Sequence, residues 1–334
     1  MTCRLGINGF GRIGRMVLRR ALTLPDIEVV AINDLAHVGD LAYLLKYDSV
    51  HGLFPGEVSH TEHTILVNEK GVQFSSEKAP AKIPWGRAGV DVVIESSGAL
   101  RGRKDAAGHL QGGARKVLIS APSDDVDVTI VPGVNDGQYD PARHHVLSMA
   151  SCTTNSLAPV AKVLHEHFGI VHLFITTVHA YTTSQSIMDK PTRKRRRGRA
   201  GALSMIPTST GAAQATALVL PELAGKVDGM AIRVPVPDGS VTDIVAQLER
   251  STSVQEINTR LREAAGRPPL HGILAVSDDE LVSVDIIGNP HSSIVDAPST
   301  MVLGGTMAKV LAWYDNEWGY ACRLAELAGR LIAS

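Results

Sequence analysis

The chain has 334 residues, of which 44% are hydrophobic and 20% charged, and its formal net charge is -1. This composition excludes a disordered protein, and the length predicts two domains of roughly 150 residues each. The near-zero charge excludes a general attraction to nucleic acid or to acidic membranes, so such a partner would need a local patch.

The cysteines and the apolar runs restrict the chemistry and the location of the protein. Cys3, Cys152 and Cys322 are widely spaced and form no C-x-x-C pair, which argues against a disulfide framework and a cysteine zinc site. We expect no metal ligands. The N-terminal residues carry no signal-like apolar run, and no uninterrupted apolar stretch reaches about 18 residues. We therefore expect a cytoplasmic protein without a membrane partner.

The first half of the chain alternates short apolar runs with helical patterns. Strands are predicted at 4–8, 28–34, 90–95, 116–120, 128–131 and 145–149, and helices at 11–24 and 98–113. Such an alternation favours a parallel, doubly wound sheet.

The pattern changes after Ser151. A helix at 154–168 precedes long strand-like runs at 171–178, 230–236, 241–248 and 281–287, with a further helix at 255–265. Long strands rich in β-branched residues predict a second domain with a mixed or antiparallel sheet. The last predicted helix, 320–333, has an apolar face and is expected to pack on the first domain.

A glycine motif follows the first predicted strand and opens the first helix. Gly9, Gly11 and Gly14 fit G-x-G-x-x-G, in which the glycines permit a tight turn, backbone approach to a pyrophosphate, and close packing of helix and strand. Asp34 lies twenty residues further on, where a carboxylate would bind the adenosine ribose hydroxyls, which favours NAD over NADP. The alternative is a glycine-rich turn with an incidental acid.

The predicted fold is therefore α/β, with a Rossmann-type doubly wound parallel sheet followed by an α+β catalytic domain with a mixed or antiparallel sheet. We assign residues 1–151 and 317–334 to the NAD-binding domain, and residues 152–316 to the catalytic domain, which includes a basic loop at 182–205.

Cys152 has the sequence context of a reactive thiol. It lies in Ser-Cys-Thr-Thr-Asn at 151–155, where the strand at 145–149 turns into the helix at 154–168. A helix N-terminus lowers the pKa of a thiol, so we expect a reactive thiolate at this position. The alternative is a small buried apolar residue, which the polar neighbours disfavour.

His179 is the candidate base. It ends the strongly β-forming run at 174–178, and strand ends commonly expose catalytic groups. A cysteine and an imidazole supply the nucleophile and the proton acceptor of covalent catalysis. Combined with a hydride acceptor, a thiol predicts aldehyde oxidation, because a hemithioacetal can lose hydride to give a thioester.

Hydroxyl and cationic residues that suit phosphate groups are Thr153, Thr182, Thr210, Gly211 and Arg233.

Five motifs resemble the phosphorylating glyceraldehyde-3-phosphate dehydrogenases. They are N-G-F-G-R-I-G at 8–14, A-S-C-T-T-N at 150–155, T-V-H-A-Y-T at 177–182, S-T-G-A-A at 209–213 and W-Y-D-N-E-W-G-Y at 313–320. The resemblance implies a homotetramer in which Cys152 attacks the aldehyde of D-glyceraldehyde 3-phosphate, His179 takes the proton and NAD receives the hydride. Inorganic phosphate then cleaves the thioester to give 1,3-bisphosphoglycerate, and we expect arsenate to replace phosphate.

The same resemblance implies roles for the remaining site residues. Thr182 and Arg233 would hold the phosphate of the substrate. The attacking phosphate would be held by Ser151, Thr153, Thr210 and Gly211, and the nicotinamide by Asn316 and Tyr320. The other cofactor-binding residues are Asn8, Gly9, Phe10, Gly11, Arg12, Ile13, Gly14, Asp34, Ser97 and Ser120.

Departures from the family leave alternatives open. Erythrose-4-phosphate dehydrogenase is disfavoured because the chain keeps Thr182 and the S-T-G-A-A run. The run 193–199 has six basic residues in seven, which could attract the 2′-phosphate of NADP, nucleic acid or an acidic partner, or form an ordinary subunit-interface loop. We favour the interface loop, so nucleic acid is not the expected partner. Pro191 also counts against NADP, whereas Lys190 stands where the family has an apolar residue.

Overall fold

The computed structural model describes residues 2–333, which form two compact units. The first contains the described residues up to Ile130, Gly137–Ala150 and those from Ala321 onward, and the second contains Val131–Asp136 and Ser151–Tyr320. Among residues 2–333, no helix has both the length and the apolar character needed to cross a membrane.

The first unit alternates strands and helices as the sequence predicts. Its strands are β1 (Cys3–Asn8), β2 (Ile27–Asn33), β3 (Tyr47–Asp48), β4 (Gly52–Leu53), β5 (Val58–Thr61), β6 (Thr64–Val67), β7 (Lys70–Ser75), β8 (Val92–Glu95), β9 (Lys116–Ile119), β10 (Val128–Thr129) and β11 (Val146–Ser148). Its helices are α1 (Arg12–Ala21), α2 (Val38–Lys46), α3 (Trp85–Ala88), α4 (Arg103–Ala106) and α5 (Gly108–Gln111).

Nine of these strands form one sheet in the order β10-β11-β9-β8-β1-β2-β7-β6-β5, and β3 pairs separately with β4. The pairs from β10 to β7 are parallel, whereas β5, β6 and β7 pair antiparallel at one edge. The prediction of a doubly wound parallel sheet is confirmed. Asn8 pairs in register with Asn33 on one side and with Glu95 on the other, so the carboxyl ends of three strands meet at one edge.

Burial explains why the central strands have continuous apolar runs. All four residues of β8 and all four of β9 are buried, as a parallel sheet covered on both faces requires. The antiparallel strands are different, since β5 has no buried residue and β7 has one. Their weak apolar pattern explains why the sequence did not predict this edge of the sheet.

The second unit is built from long strands and three longer helices. Its strands are β12 (Ile170–Ala180), β13 (Ile206–Ser209), β14 (Val227–Val234), β15 (Ser240–Leu248), β16 (Leu274–Ser277), β17 (Ser293–Leu303) and β18 (Met307–Tyr314). Its helices are α6 (Cys152–Phe168), α7 (Ala212–Val219), α8 (Val254–Ala265) and the short α9 (Ser283–Ile286), and α10 (Trp318–Ala333) ends the described chain. The residues of α10 from Ala321 onward belong to the first unit.

The second sheet has the order β13-β14-β12-β15-β18-β17-β16. It is mixed, because β12 pairs parallel with β14 and antiparallel with β15, which confirms the predicted sheet type. Residues of β15 alternate between buried and half-buried, so one face of the sheet lies in the core. Through the strand register, Phe174, Met230 and Met301 share the other face, where they are 66%, 40% and 58% exposed.

Two sequence predictions of local structure are wrong. The predicted strand at 281–287 is a loop followed by α9, because the Asp285 carboxylate accepts a hydrogen bond from the Val282 backbone N–H at 2.8 Å and closes a helical turn. Val282 and Val284 are exposed, so their β-forming side chains have no sheet to cover. The predicted helix at 98–113 is two short helices, α4 and α5, which meet at Gly108.

Replacement of Gly229 should destabilise the second unit. In the Gly229→Ala variant the added Cβ would lie 2.3 Å from the Ile175 carbonyl oxygen in the neighbouring strand, so the sheet must move. We expect a loss of about 1–3 kcal/mol in unfolding free energy, measured by urea denaturation. Gly71→Ala is the matched strand control, since its Cβ would meet only side-chain methyl groups, those of Thr64 at 3.3 Å and Leu66 at 4.0 Å. Equal stabilities of the two variants would contradict the prediction.

Candidate active site

The glycine loop after β1 has the geometry that the motif predicts. Gly9 has φ +88°, and a Cβ there would lie 2.4 Å from backbone atoms of Ser97. A Cβ on Gly14 would lie 2.3 Å from the Gly9 carbonyl oxygen, whereas one on Gly11 would meet nothing within 4 Å. Gly9 and Gly14 therefore permit close packing of the chain, and Gly11 leaves the start of α1 open to a ligand.

A cavity of about 410 Å³ opens at this edge of the first sheet. The Asp34 carboxylate lies in its lining and accepts hydrogen bonds from the backbone N–H groups of Phe10 at 2.7 Å and Ala36 at 2.9 Å. A helix N-terminus, a bare glycine backbone and a carboxylate are the groups that pyrophosphate and ribose need. The residues present therefore fit a dinucleotide. The cavity is lined by Asn8, Gly9, Gly11, Asn33, Asp34, Leu35, Glu77, Lys78, Ser96, Ser97, Ala99 and Leu100.

Other predicted cofactor residues have structural contacts in the first unit. The Arg12 guanidinium donates to both oxygens of Asp48, at 2.8 and 3.1 Å. Burial opposes ionisation of Asp48, but hydrogen bonds from the His51 and Val50 N–H groups and from Arg12 hold its pKa at about 2. Phe10 is fully buried, and the Ser120 hydroxyl donates to the Glu95 carbonyl oxygen at 3.0 Å. Arg12 can therefore face a cofactor through its backbone, while its side chain is held by Asp48.

Cys152 and His179 lie together in the second unit. The Cys152 Sγ is 3.5 Å from the His179 Nε2. Cys152 is the first residue of α6, and the hydroxyl of Ser151, the N-cap, accepts a hydrogen bond from the Thr154 N–H at 3.1 Å. His179 is 3% exposed and lies one residue before the end of β12. The sequence therefore identified two side chains that the fold places in contact.

Burial and the nearby Arg233 cation together influence the charge state of this pair. Burial, together with the Arg233 cation, lowers the pKa of His179 to about 3. Arg233 donates to the Ala180 carbonyl oxygen at 2.9 Å, and the His179 Nδ1 lies 2.7 Å from the same oxygen. Because a carbonyl oxygen only accepts hydrogen bonds, we assign the proton of the neutral ring to Nδ1. Nε2 is then the proton acceptor that faces the thiol.

The expectation of a lowered Cys152 pKa is wrong for the protein without substrate. Burial raises the pKa of this thiol, and the Arg233 cation, which lowers it, does not offset the desolvation. The helix start is present as predicted, but it lies in an interior that disfavours charge. The resting pair is therefore a neutral thiol beside a neutral imidazole.

Tyr314 is a site residue that the sequence reasoning missed. Its hydroxyl lies 2.9 Å from the Thr153 Oγ1 and 2.8 Å from the Thr177 Oγ1, and its ring meets the His179 ring edge-on at 5.9 Å. Burial raises the pKa of this phenol. Tyr314 lies within the motif at 313–320, and membership of that motif was the signal available in the sequence.

The predicted phosphate-site residues come from several elements: Ser151 and Thr153 lie at the start of α6, Arg233 lies in β14, and the others lie on loops. Thr182 and Ser184 share a hydrogen bond between their hydroxyl groups at 2.9 Å, and the Thr210 hydroxyl accepts from the Ala212 N–H at 3.2 Å, where Gly211 caps α7. Two of these residues contact the catalytic pair: the Arg233 Nη1 lies 3.0 Å from the His179 Nδ1, and a hydrogen bond from the Thr153 side chain lowers the pKa of the Cys152 thiol.

Arg197 in the basic run also belongs to the site. It donates to the Thr208 hydroxyl at 3.0 Å, and its charge lowers the pKa of both His179 and Arg233, after the larger effects that burial has on each. A second arginine of the run, Arg199, pairs with Asp189 at 2.8 Å. Lys194 donates to the Ser209 hydroxyl at 2.8 Å, so the structure gives three of the six cations specific local contacts.

Asn316 is held by two buried groups. Its side-chain oxygen accepts from the Ser240 hydroxyl at 2.6 Å, and its backbone N–H donates to the Oδ1 of the Asp238 carboxyl group at 3.2 Å. Burial, reinforced by the neighbouring Asp315, raises the pKa of Asp238 to about 9. Tyr320 is also buried, which raises its pKa. Ser240 and Asp238 are further residues that the sequence reasoning did not assign to the site.

Comparisons with known proteins agree with this geometry. The family model for the glyceraldehyde 3-phosphate dehydrogenase NAD binding domain matches residues 3–103, and the model for the C-terminal domain of that enzyme matches residues 151–316.

Three bacterial relatives, each named glyceraldehyde-3-phosphate dehydrogenase, align over nearly the whole chain. The protein of Geobacillus stearothermophilus is 57% identical over 333 residues, which covers 100% of this chain and 99% of the relative. The protein of Streptomyces coelicolor is 56% identical over 328 residues, and that of Mycobacterium leprae 53% over 337 residues, each with 98% of both chains covered. The chain therefore belongs to the glyceraldehyde-3-phosphate dehydrogenase family.

Proposed function

We propose that this protein is an NAD-dependent, phosphorylating dehydrogenase that converts D-glyceraldehyde 3-phosphate and inorganic phosphate to 1,3-bisphosphoglycerate. The observation that carries the proposal is the 3.5 Å contact between the Cys152 Sγ and the His179 Nε2, in a chain whose first 103 residues include a match to an NAD-binding domain. A nucleophile beside a base, combined with a hydride acceptor, defines aldehyde oxidation through a covalent intermediate.

The first chemical step forms the Cys152–substrate bond. The Sγ attacks the aldehyde carbon, the π electrons of the carbonyl move to its oxygen, and the thiol proton passes to the His179 Nε2. The lowered pKa of His179 keeps the ring neutral, so Nε2 has a free lone pair at neutral pH. Attack and proton transfer proceed together, because a buried thiol that loses its proton alone would leave an unpaired charge.

The later steps return both residues to their starting state. NAD, when bound, would supply the two-electron acceptor that converts the hemithioacetal to a thioester. Throughout this step His179 keeps on Nε2 the proton that it took from the thiol, so the hemithioacetal oxygen carries no proton when the carbonyl re-forms. Attack of phosphate on the thioester carbon breaks the carbon–sulfur bond, and the released Sγ regains its proton from the Nε2. The net reaction consumes aldehyde, phosphate and NAD, and it releases the acyl phosphate, NADH and one proton.

The phosphate and cofactor assignments are part of this proposal. Thr182 and Arg233 hold the substrate phosphate, and the cation of Arg197 supports an anion in the same region. The attacking phosphate binds Ser151, Thr153, Thr210 and Gly211. The cofactor binds the glycine-loop residues Asn8 to Gly14, with Asp34, Ser97, Ser120, Asn316 and Tyr320 completing its site.

We also propose a homotetramer. The support is the outward face of the second sheet, where Phe174 and Met301 are more than half exposed and Met230 is 40% exposed, since a second copy would bury this face.

The domain ranges given by the sequence, the preference for NAD over NADP and the cytoplasmic location stay predictions. The basic run is assigned to a subunit interface, as in the sequence analysis.

The function is tested by NADH formation from the purified protein, followed at 340 nm with glyceraldehyde 3-phosphate, NAD and phosphate. We expect activity that requires all three, a higher kcat/KM than with erythrose 4-phosphate, and NADH formation when arsenate replaces phosphate. We expect this because arsenate is a tetrahedral oxyanion only slightly larger than phosphate, and an open anion site accepts both. Absence of NADH with the complete mixture would overturn the proposal.

Cys152→Ser should lower kcat by roughly a thousandfold or more, because a hydroxyl with a pKa far above neutrality cannot replace the thiol nucleophile. Cys3→Ser is the matched control, since Cys3 is buried in the first unit, where its Sγ donates to the Ala328 carbonyl oxygen. The control should keep near wild-type turnover. A Cys152→Ser enzyme with substantial steady-state activity would rule out the thioester.

The buried, neutral His179 should make the protein less stable in acid. In the unfolded chain this imidazole titrates near its ordinary value of 6.5, whereas in the folded protein its pKa is about 3. Between these values the unfolded chain binds more protons, so stability falls as the pH falls. The urea midpoint should therefore drop less between about pH 7.5 and pH 5 in His179→Gln than in the wild type. An identical drop in both would disprove this assignment.

A further inference from the structure

A buried carboxylate in the first unit is not used by the proposed chemistry. Glu95 is the last residue of β8 and is 2% exposed. Its Oε1 accepts hydrogen bonds from the N–H and the hydroxyl of Ser97, and its Oε2 faces the side-chain amide of Asn8 and the His109 Nε2 at 2.9 Å. Four donors thus converge on this carboxylate, as a buried charge requires.

Trp85 determines which ring nitrogen of His109 carries the proton. The Trp85 Nε1 lies 3.0 Å from the His109 Nδ1, and both side chains are at most 1% exposed. An indole N–H can only donate, so Nδ1 must be the unprotonated nitrogen. The proton of the neutral ring is then on Nε2, which donates it to Glu95. The hydrogen bonds therefore run in one direction, from Trp85 through His109 to Glu95.

This direction decides whether the Ser97 hydroxyl donates or accepts a hydrogen bond at the cofactor cavity. Glu95 accepts both the backbone N–H and the hydroxyl proton of Ser97, and the Ala99 N–H donates to the Ser97 Oγ at 3.2 Å. The hydroxyl can therefore accept one more hydrogen bond, through the second lone pair of its oxygen, and has no proton left to donate. Ser97 lines the cavity, so it can accept a hydrogen bond from a ligand hydroxyl but cannot donate one to a phosphate.

The position of Ser97 also determines the position of the glycine loop. Backbone atoms of Ser97 are so close to Gly9 that a Cβ there would be 2.4 Å away, and the Ser96 hydroxyl donates to the Gly9 carbonyl oxygen at 2.8 Å. A shift of the Ser96–Ser97 backbone would therefore move the loop that faces the pyrophosphate. On the other side, Glu95 orients the Asn8 amide, whose oxygen accepts from Asn33 at 2.8 Å.

We propose that Trp85, His109 and Glu95 form a positioning relay for the dinucleotide, which fixes Ser97 as an acceptor for a cofactor hydroxyl and holds the Gly9 loop in place. None of the three touches the reacting atoms. His109 acts through Glu95, and Trp85 acts through the tautomer of His109. The inference rests on the proposed use of NAD and extends it to residues with no place in the catalytic site.

The relay is tested by NAD binding, measured by isothermal titration calorimetry without substrate. His109→Leu removes the donor to Glu95 and should raise the Kd for NAD about tenfold, which is about 1.4 kcal/mol. His109→Gln should restore binding to within about threefold of the wild type, because one amide can accept from Trp85 and donate to Glu95. In steady-state assays of His109→Leu, the KM for NAD should rise in proportion to the Kd, and kcat should change by less than twofold.

A matched control separates positioning from a general loss of stability. Val117 is fully buried in β9, the strand next to β8, and Val117→Ala leaves a cavity there without removing a hydrogen bond. We expect Val117→Ala to lower the melting temperature while the Kd for NAD stays within twofold of the wild type. An increase equal to that of His109→Leu would overturn the relay.

A double-variant cycle tests the coupling through Ser97. If His109 acts through this hydroxyl, His109→Leu should add less to the Kd in a Ser97→Ala background than in the wild type. Fully additive effects, or a His109→Leu protein with wild-type Kd, would reject the relay. A wild-type protein that does not bind NAD would instead reject the proposed cofactor.

Discussion

The proposed chemistry depends on one contact, that of the Arg233 guanidinium with the buried His179. Burial in the surrounding interior, reinforced by this cation, keeps the imidazole neutral, and the Ala180 carbonyl oxygen directs its lone pair toward Cys152. The same cation opposes the effect of burial on the thiol, so one charge acts on both partners of the proton transfer. Tyr314 packs against the ring from β18 and fixes its orientation without adding charge.

Much of the fold and of the site was predictable, because several signals were local in sequence. The glycine loop requires particular backbone space at Gly9 and Gly14, and the cysteine lies at the junction of a strand and a helix, so residue type and spacing were sufficient there. Buried runs such as β8 and β9 gave a clear apolar pattern. The antiparallel edge did not, since its short strands have few buried residues and no continuous buried run.

The remaining features depend on tertiary contacts that sequence patterns do not encode. The Cys152 pKa is raised mainly by desolvation, which outweighs the local effect of a helix start. Within the segment at 281–287, α9 forms because Asp285 closes a helical turn. Tyr314 contacts residues from two other elements, more than a hundred positions away in the chain. The relay from Trp85 to Glu95 likewise joins separate segments, and a lone buried histidine gives no sign of its partners.

The strand order of the first sheet has a consequence for solubility. A parallel sheet of this size would normally end in unpaired N–H and C=O groups, which another chain can extend by adding a strand. Here one outer strand, β10, has two residues, and the other, β5, has four residues and belongs to an antiparallel edge with polar, exposed side chains. Neither edge offers a long apolar template, so the sheet resists edge-to-edge aggregation.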